Sequence, residues 1–262
     1  MTQKITYTCG ADGVAYLTIN RPEKRNAFDD VMINSLLQYL SEAKKNHALR
    51  ALVIRGEGEH FCAGADVGWM QKMAQYTQEE NFQDAMQLGN LMHQLFYFPK
   101  PTIAVVQGSA FAGGAGIAAC SDIVIASDNA KFCFSEVRLG LVPAVISPFV
   151  SYKMGNSNTQ RYFLTAEVIS AAEAKNLGLC HIVAPATELE NYLQQFLRNI
   201  KRSGPRAAMA VKSLLRSIYT NPIDQTILET TAHHIASLRV SPEGQEGLNA
   251  FLEKRSPSWE IK

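Results

Sequence analysis

Two glycine-rich turns, HFCAGADV at 60–67 and QGSAFAGGAG at 107–116, each follow a short apolar run and end where a helix can begin. Turns of this shape leave backbone N–H groups unpaired and pointing outward. Two such donors stabilise the negative charge that develops on a carbonyl oxygen during reaction. The same glycines equally permit tight turns or close packing. A third group with chemical reach is Glu136, set among Phe132, Phe134, Val137, Leu139 and Leu141. It is either surface-facing in a strand or buried. Burial would disfavour the carboxylate and make Glu136 a general acid near neutral pH.

Other side chains carry two readings each. Lys24 and Arg25 are solvated charges or ligand contacts, and Arg138 and Lys153 either meet a substrate carboxylate or serve the structure. Trp69, Met70 and Met73 follow the first turn at helical spacing and shape a pocket or pack a core. His60 and His93 lack metal-like partners, and His233 and His234 form no HExxH motif, so no metal and no redox cofactor are expected.

The elements that must position these groups are legible. Residues 5–9 and 14–20, joined by GADG, read as a hairpin. Ile33, Leu36, Leu37 and Leu40 then share a helical face behind Asp29 as cap. The β-branched runs at 51–56, 102–108 and 122–127 each end in a polar turn and lead into another short segment, like three turns of one spiral. Between the first two lies a polar stretch, 71–80, and a helix with Phe82, Met86, Leu95 and Phe96 at roughly helical spacing, stopped by Pro99 and Pro101. After Glu136 the chain becomes helical: Ser170 and Glu173 fit a capping box, Gly178 a helix stop, and Pro205 and Pro242 helix starts. A helical C-terminal region on a strand-rich core follows, with the boundary between Pro185 and Gly204.

Composition narrows the function classes. A chain of 262 residues with 47% hydrophobic content can bury a sizeable core, and 25 Lys and Arg against 24 Asp and Glu point to neither nucleic acid nor a membrane surface. The densest basic stretch, RNIKRSGPR at 198–206, reads as a solvated interhelical face. Five cysteines without metal spacing read as reduced thiols. The start MTQKITYTCG has no apolar leader core and no apolar run is long enough to span a bilayer, so a cytoplasmic location is expected.

Taken together, NRPEKRNAF at 20–28, FCAGAD at 61–66, KPTIAVVQGSAFAGGAG at 100–116, CSDIVIAS at 120–127, SEVRLGLVP at 135–143 and GLNAFLEKR at 247–255 resemble the crotonase, or enoyl-CoA hydratase/isomerase, superfamily over nearly the whole chain. The resemblance implies an α/β fold in which repeated ββα units form a superhelix: a spiral core with the active site over 1–195 and a helical trimerisation region over 196–262. It implies homotrimers or hexamers (dimers of trimers) and acyl-CoA thioester substrates, with CoA entering only as part of the substrate. The N–H donors fall on Ala65 and Gly113, and Glu136 matches the glutamate that exchanges a proton with the substrate carbon skeleton. Arg25, Ala27, Ala63, Asp66 and Val67 fall on positions near the CoA or acyl channel, and Phe251 and Lys254 on positions that often reach a neighbouring subunit's CoA.

One departure matters. The standard hydratase carries a second glutamate after its glycine run, and the matching position here is Gly116. That raises the prospect of one-base chemistry, such as Δ3–Δ2 isomerisation. The run SEVRLGLVPAVISPFV at 135–150 is similar to bacterial 3-methylglutaconyl-CoA hydratases, which also tend to carry glycine there, so hydration of 3-methylglutaconyl-CoA is the leading expectation. Isomerisation is the alternative, and a non-catalytic acyl-CoA-binding or RNA-binding member is a third reading.

Overall fold

The computed structural model describes residues 3–219 and 221–260. Its N-terminal part runs β1 (Ile5–Cys9), β2 (Val14–Ile19), α1 (Asp30–Lys45), β3 (Ala51–Gly56), α2 (Val67–Met73), α3 (Gln78–Phe96), β4 (Thr102–Val106), β5 (Ser109–Phe111), α4 (Gly113–Cys120), β6 (Ile123–Ser127) and β7 (Lys131–Cys133). It continues with α5 (Ser147–Met154), α6 (Asn156–Thr165), β8 (Ile169–Ser170), α7 (Ala171–Asn176), β9 (Ile182–Ala184), α8 (Leu189–Arg202), α9 (Pro205–Ile218), α10 (Gln225–Arg239) and α11 (Pro242–Leu252).

The larger sheet has the order β1-β2-β3-β4-β6-β9, antiparallel at the β1–β2 hairpin and parallel thereafter. A smaller sheet, β5-β7-β8, takes the second strand of successive turns, so β4–β5–α4 is one complete ββα unit of an α/β superhelix. The smaller sheet extends towards the first glycine-rich turn through single parallel bridges, Cys62 with Ala110 and Phe28 with Ala65.

The interior parallel strands are mostly apolar because both faces are covered. On β3, Leu52 and Ile54 join the larger core with α1, α3 and α4, while Ala51 and Val53 join Ile103, Ile125 and the Leu189, Leu193 and Leu197 face of α8. A division at 195/196 therefore falls inside α8, whose Leu193 and Leu197 both pack on the sheet.

Local signals act as their chemistry dictates, with exceptions. Asp29 caps α1 through the Met32 amide, and Pro205 and Pro242 open α9 and α11. Ser170 accepts from the Glu173 amide, but Glu173 Oε1 accepts from the Tyr162 hydroxyl. The 71–80 stretch is not simply polar loop: α2 runs into it, and Thr77 and Glu80 form the reciprocal capping box that starts α3. Phe82 and Met86 are exposed, and only Leu91, Met92, Leu95 and Phe96 of α3 reach the core.

Buried cations tie the helical region to the sheets. Arg50 donates to the carbonyls of Ile200, Lys201, Ser203 and Trp259, and Lys100 to those of Ala43, Lys44 and Asn46 at the end of α1. Each places positive charge where helix carbonyls end unpaired. On α9, Lys212 pairs with Asp122 Oδ2 at 2.5 Å, and burial pushes its pKa down to about 8 against the pull of that carboxylate. Val211, Leu215, Leu228, Ile235 and Val240 of the α9–α10 region and Phe251 of α11 are exposed, an uncovered apolar surface. Among the described residues no helix is long and apolar enough to cross a membrane, and no cluster of His, Cys, Asp and Glu is placed to hold a metal ion.

Candidate active site

The two glycine-rich turns lie side by side because backbone hydrogen bonds stitch them together. Phe61 N donates to Gln107 O, Cys62 N to Ser109 O, and Phe111 N back to Cys62 O, at 2.8–2.9 Å. His60 Nδ1 accepts from Ser109 N across the same seam, a structural use of that histidine. Asn26, fully buried, accepts from Arg21 N and donates to the carbonyls of Glu57 and His60.

Each expected donor follows a residue with positive φ. Gly64 has φ +98° before Ala65, and Ala112 has φ +48° before Gly113, the first residue of α4. Among the described residues neither the Ala65 nor the Gly113 amide donates to a backbone carbonyl. For Gly113 this is the ordinary state of a first-turn amide. Alanine at +48° costs on the order of 1–3 kcal/mol. The Ala112 amide is fixed by Cys133 O at 2.8 Å, which ties the second turn to the strand leading into Glu136.

Glu136 opens a single 3-10 turn, Glu136–Leu139, closed by Gly140 at φ +72°. Its Oε2 is buried and without a hydrogen-bond partner. Burial pushes the carboxyl pKa above its ordinary value, against one backbone hydrogen bond that lowers it. Of its apolar sequence neighbours, Phe132 and Phe134 are fully buried, whereas Leu139 and Leu141 are exposed. A buried acceptor left unpaired carries a desolvation penalty, and a carboxyl that holds its proton above the ordinary carboxylate range is suited to give it up to a substrate.

The Gly116 position has lost more than a carboxylate. A Cβ built there would lie 2.4 Å from Ile146 Cγ2 and 3.1 Å from Ile146 Cβ, so the start of α5 fills the volume that a side chain at 116 would need. Glutamate cannot enter this site unless Ile146 moves.

The remaining expected residues fall into distinct settings. The Asp66 carboxylate caps α2 through the amides of Gly68 and Trp69, and its Oδ2 pairs with Arg21 at 3.0 Å and Lys24 at 3.1 Å. Burial alone pushes its pKa up, but the Lys24 hydrogen bond, the Arg21 charge and the two amides together hold it below the ordinary carboxylate value. Asp66 therefore has only backbone to offer a ligand. Arg25 is exposed in the left-handed region, φ +52°, with its carbonyl accepting from Ala63 N. Ala27 and Ala63 are half-buried and Val67 is exposed. Trp69 is buried, its indole donating to Asp84, while Met70 and Met73 are half-buried. Arg138 donates to Ala166 O and Lys153 to Asp122 O, which gives both a structural use. Phe251 and Lys254 are exposed at the end of α11.

The comparisons with known proteins converge. Residues 10–262 match the family model described as enoyl-CoA hydratase/isomerase. The crystal structure of an enoyl-CoA hydratase from Shewanella pealeana has a TM-score of 0.95 and 46% identity, covering 98% of this chain and 96% of that one. Two Escherichia coli proteins are 31% identical: a 2,3-dehydroadipyl-CoA hydratase, over 94% of both chains, and a 1,2-epoxyphenylacetyl-CoA isomerase, over 94% of this chain and 95% of that one. The paired turns, the buried Oε2 of Glu136 and these matches lead to one conclusion: the chain belongs to the enoyl-CoA hydratase/isomerase, or crotonase, family, whose chemistry is hydration or isomerisation of acyl-CoA thioesters.

Proposed function

We propose that this chain adds water across the conjugated double bond of 3-methylglutaconyl-CoA to give 3-hydroxy-3-methylglutaryl-CoA, or catalyses the reverse dehydration, in leucine or isoprenoid catabolism. The observation that carries the acid–base part is the buried, unpartnered Oε2 of Glu136, whose carboxyl burial keeps protonated above the ordinary range. The Ala65 and Gly113 amides hold the thioester oxygen. As the water oxygen bonds to C3, the C2=C3 electron pair shifts to form the enolate and negative charge develops on the thioester oxygen; Glu136 gives its proton to C2 and takes the one released by water. The barrier falls because both donors are fixed before charge develops.

Arg25, Ala27, Ala63, Asp66 and Val67 line the CoA and acyl channel in this reading, Asp66 through its backbone. Phe251 and Lys254 reach the CoA of a neighbouring subunit in a homotrimer or a pair of trimers, and the uncovered apolar faces of α9 and α10 support such an assembly. Five unpaired cysteines support a reducing compartment, the cytoplasm. A second reading is Δ3–Δ2 isomerisation, with Glu136 shuttling one proton between C2 and C4. The Ile146 methyl in the space of a second carboxylate favours it.

The test offers 3-methylglutaconyl-CoA, crotonyl-CoA and a 3-enoyl-CoA in parallel, with products resolved by mass and Glu136→Gln as control. Water gained on the first substrate alone supports the leading reading. Rearrangement of the third without mass change supports the second. Undiminished turnover in the glutamine variant would remove Glu136 from either mechanism.

A further inference from the structure

Phe28 stands outside the donor and acid–base roles above, yet it touches both donor turns at once. Its backbone brackets Ala65: Phe28 N donates to Gly64 O and Phe28 O accepts from Asp66 N, both at 2.9 Å, in the parallel bridge of Phe28 with Ala65. Its ring lies directly on Gly113, where a Cβ would come within 2.4 Å of Phe28 Cζ and 2.8 Å of Cε1. Trp69 packs against the ring, with centroids 5.8 Å apart and planes tilted by 54°. Trp69 is itself anchored through its amide to Asp66 and through its indole to Asp84. The next residue, Asp29, caps α1. The Phe28 ring is only 2% exposed and its backbone is held on either side.

We propose that Phe28 is the positioning residue of the oxyanion hole: its backbone sets the Ala65 amide, its ring sets Gly113, and its size therefore sets the gap between the two donors. The inference rests on the reading of those amides as thioester-oxygen donors. An oxyanion is held well only when both donors lie about 2.7–3.1 Å from it. A misplacement on the order of 1 Å costs about a hundredfold in rate. Removing the ring leaves the Ala65 bracket intact and frees α4 to shift at its first turn. The loss then appears in the transition state more than in substrate binding.

The test uses Phe28→Leu, Gly113→Ala and the double variant in the full-length protein, with Phe28→Met as the replacement should the leucine variant fail to fold by circular dichroism. Steady-state kinetics on the turned-over enoyl-CoA thioester are paired with difference infrared spectra of bound butyryl-CoA, whose carbonyl stretch reports the hydrogen bonds to that oxygen. Phe28→Leu is expected to lower kcat by about tenfold to a hundredfold with KM changed less than about threefold, and to move the carbonyl stretch towards its value for free butyryl-CoA. Gly113→Ala alone drives a methyl into the ring and is also expected to lose rate; in the double variant that methyl fills the vacated space, so kcat exceeds that of Gly113→Ala alone. An unchanged carbonyl stretch and kcat in Phe28→Leu, or strictly additive losses in the double variant, would overturn the proposal. Absence of turnover by the unmodified protein would count against the hydratase and isomerase readings instead, and the carbonyl stretch would still decide the role of Phe28.

Discussion

Replacing Glu136 by glutamine is expected to move activity and stability in opposite directions. In the folded chain Oε2 has neither solvent nor a hydrogen-bond partner, and burial raises the carboxyl pKa above 4.5. A buried acceptor left unsatisfied costs about 1–3 kcal/mol. Because the residue as a whole is only half-buried, screening brings the figure to the low end, about 1 kcal/mol. Glutamine leaves that position equally unpaired but carries no charge, so the variant recovers only the penalty of burying the charged form, about 1 kcal/mol, at alkaline pH. For a chain of this size it appears as a rise of about 2–4 °C in melting temperature. The sign with pH follows from proton binding. The folded state holds the Glu136 proton more tightly than the unfolded chain does, so its contribution to stability is whole below the ordinary value of 4.5 and is lost as pH rises through the raised folded value. The stability gap between variant and parent is therefore absent at about pH 4, below the ordinary value of 4.5, and is largest at alkaline pH, above the raised folded value. Turnover falls by about a hundredfold to ten-thousandfold, the span of general acid–base catalysis. Calorimetry at the two pH values, with mass-resolved product formation, measures both. A variant no more stable than its parent at the higher pH, or one equally active, would refute the assignment of Glu136 as an acid with a buried, unpartnered oxygen.

Gly116→Glu is expected to destabilise by about 1–3 kcal/mol through overpacking against Ile146; adding Ile146→Ala should relieve part of that loss in urea titrations. Asp66→Ala removes the cap of α2 at a cost of about 1 kcal/mol. The Asp66 contribution is present above the ordinary carboxylate value of 3.8 and lost as pH falls through the lowered folded value, which melts at acid pH would show. Lys212→Ala leaves Asp122 without its 2.5 Å partner and should cost about 3 kcal/mol in chemical denaturation.

Much of the scaffold is written plainly in the chain. The 51–56 run is β3 residue for residue, because its first four residues, Ala51 to Ile54, are buried on both faces and need apolar side chains. The smaller sheet is not legible in this way: strands of two or three residues, such as β7 and β8, are too short to show a period. Phe82 and Met86 keep helical spacing yet face outward, while Asp84 between them turns inward to accept from the buried Trp69 indole. The buried cations Arg50 and Lys100 were invisible for another reason: their partners are backbone carbonyls as far as 209 positions away. In the site, Gly116 is readable as a missing carboxylate, but the methyl that replaces it belongs to Ile146, the residue before α5 and thirty positions away. Asp66, expected near the ligand, spends its side chain on α2, Arg21 and Lys24.

The positive φ values at Gly64 and Ala112 shift the selective constraint one position upstream of the atoms that work. An amide N–H is common to every residue but proline, so in the proposed reading Ala65 could change identity without losing its donor, whereas Gly113 is held to glycine by the Phe28 ring. What cannot change freely is the residue before each, since that residue turns the peptide plane, and at Ala112 it does so without the glycine that ordinarily marks such a place. A survey of side chains would pass over Ala112 as unremarkable, while a survey of backbone handedness would find it among the five non-glycine residues with φ above zero that are described, next to the proposed donor Gly113.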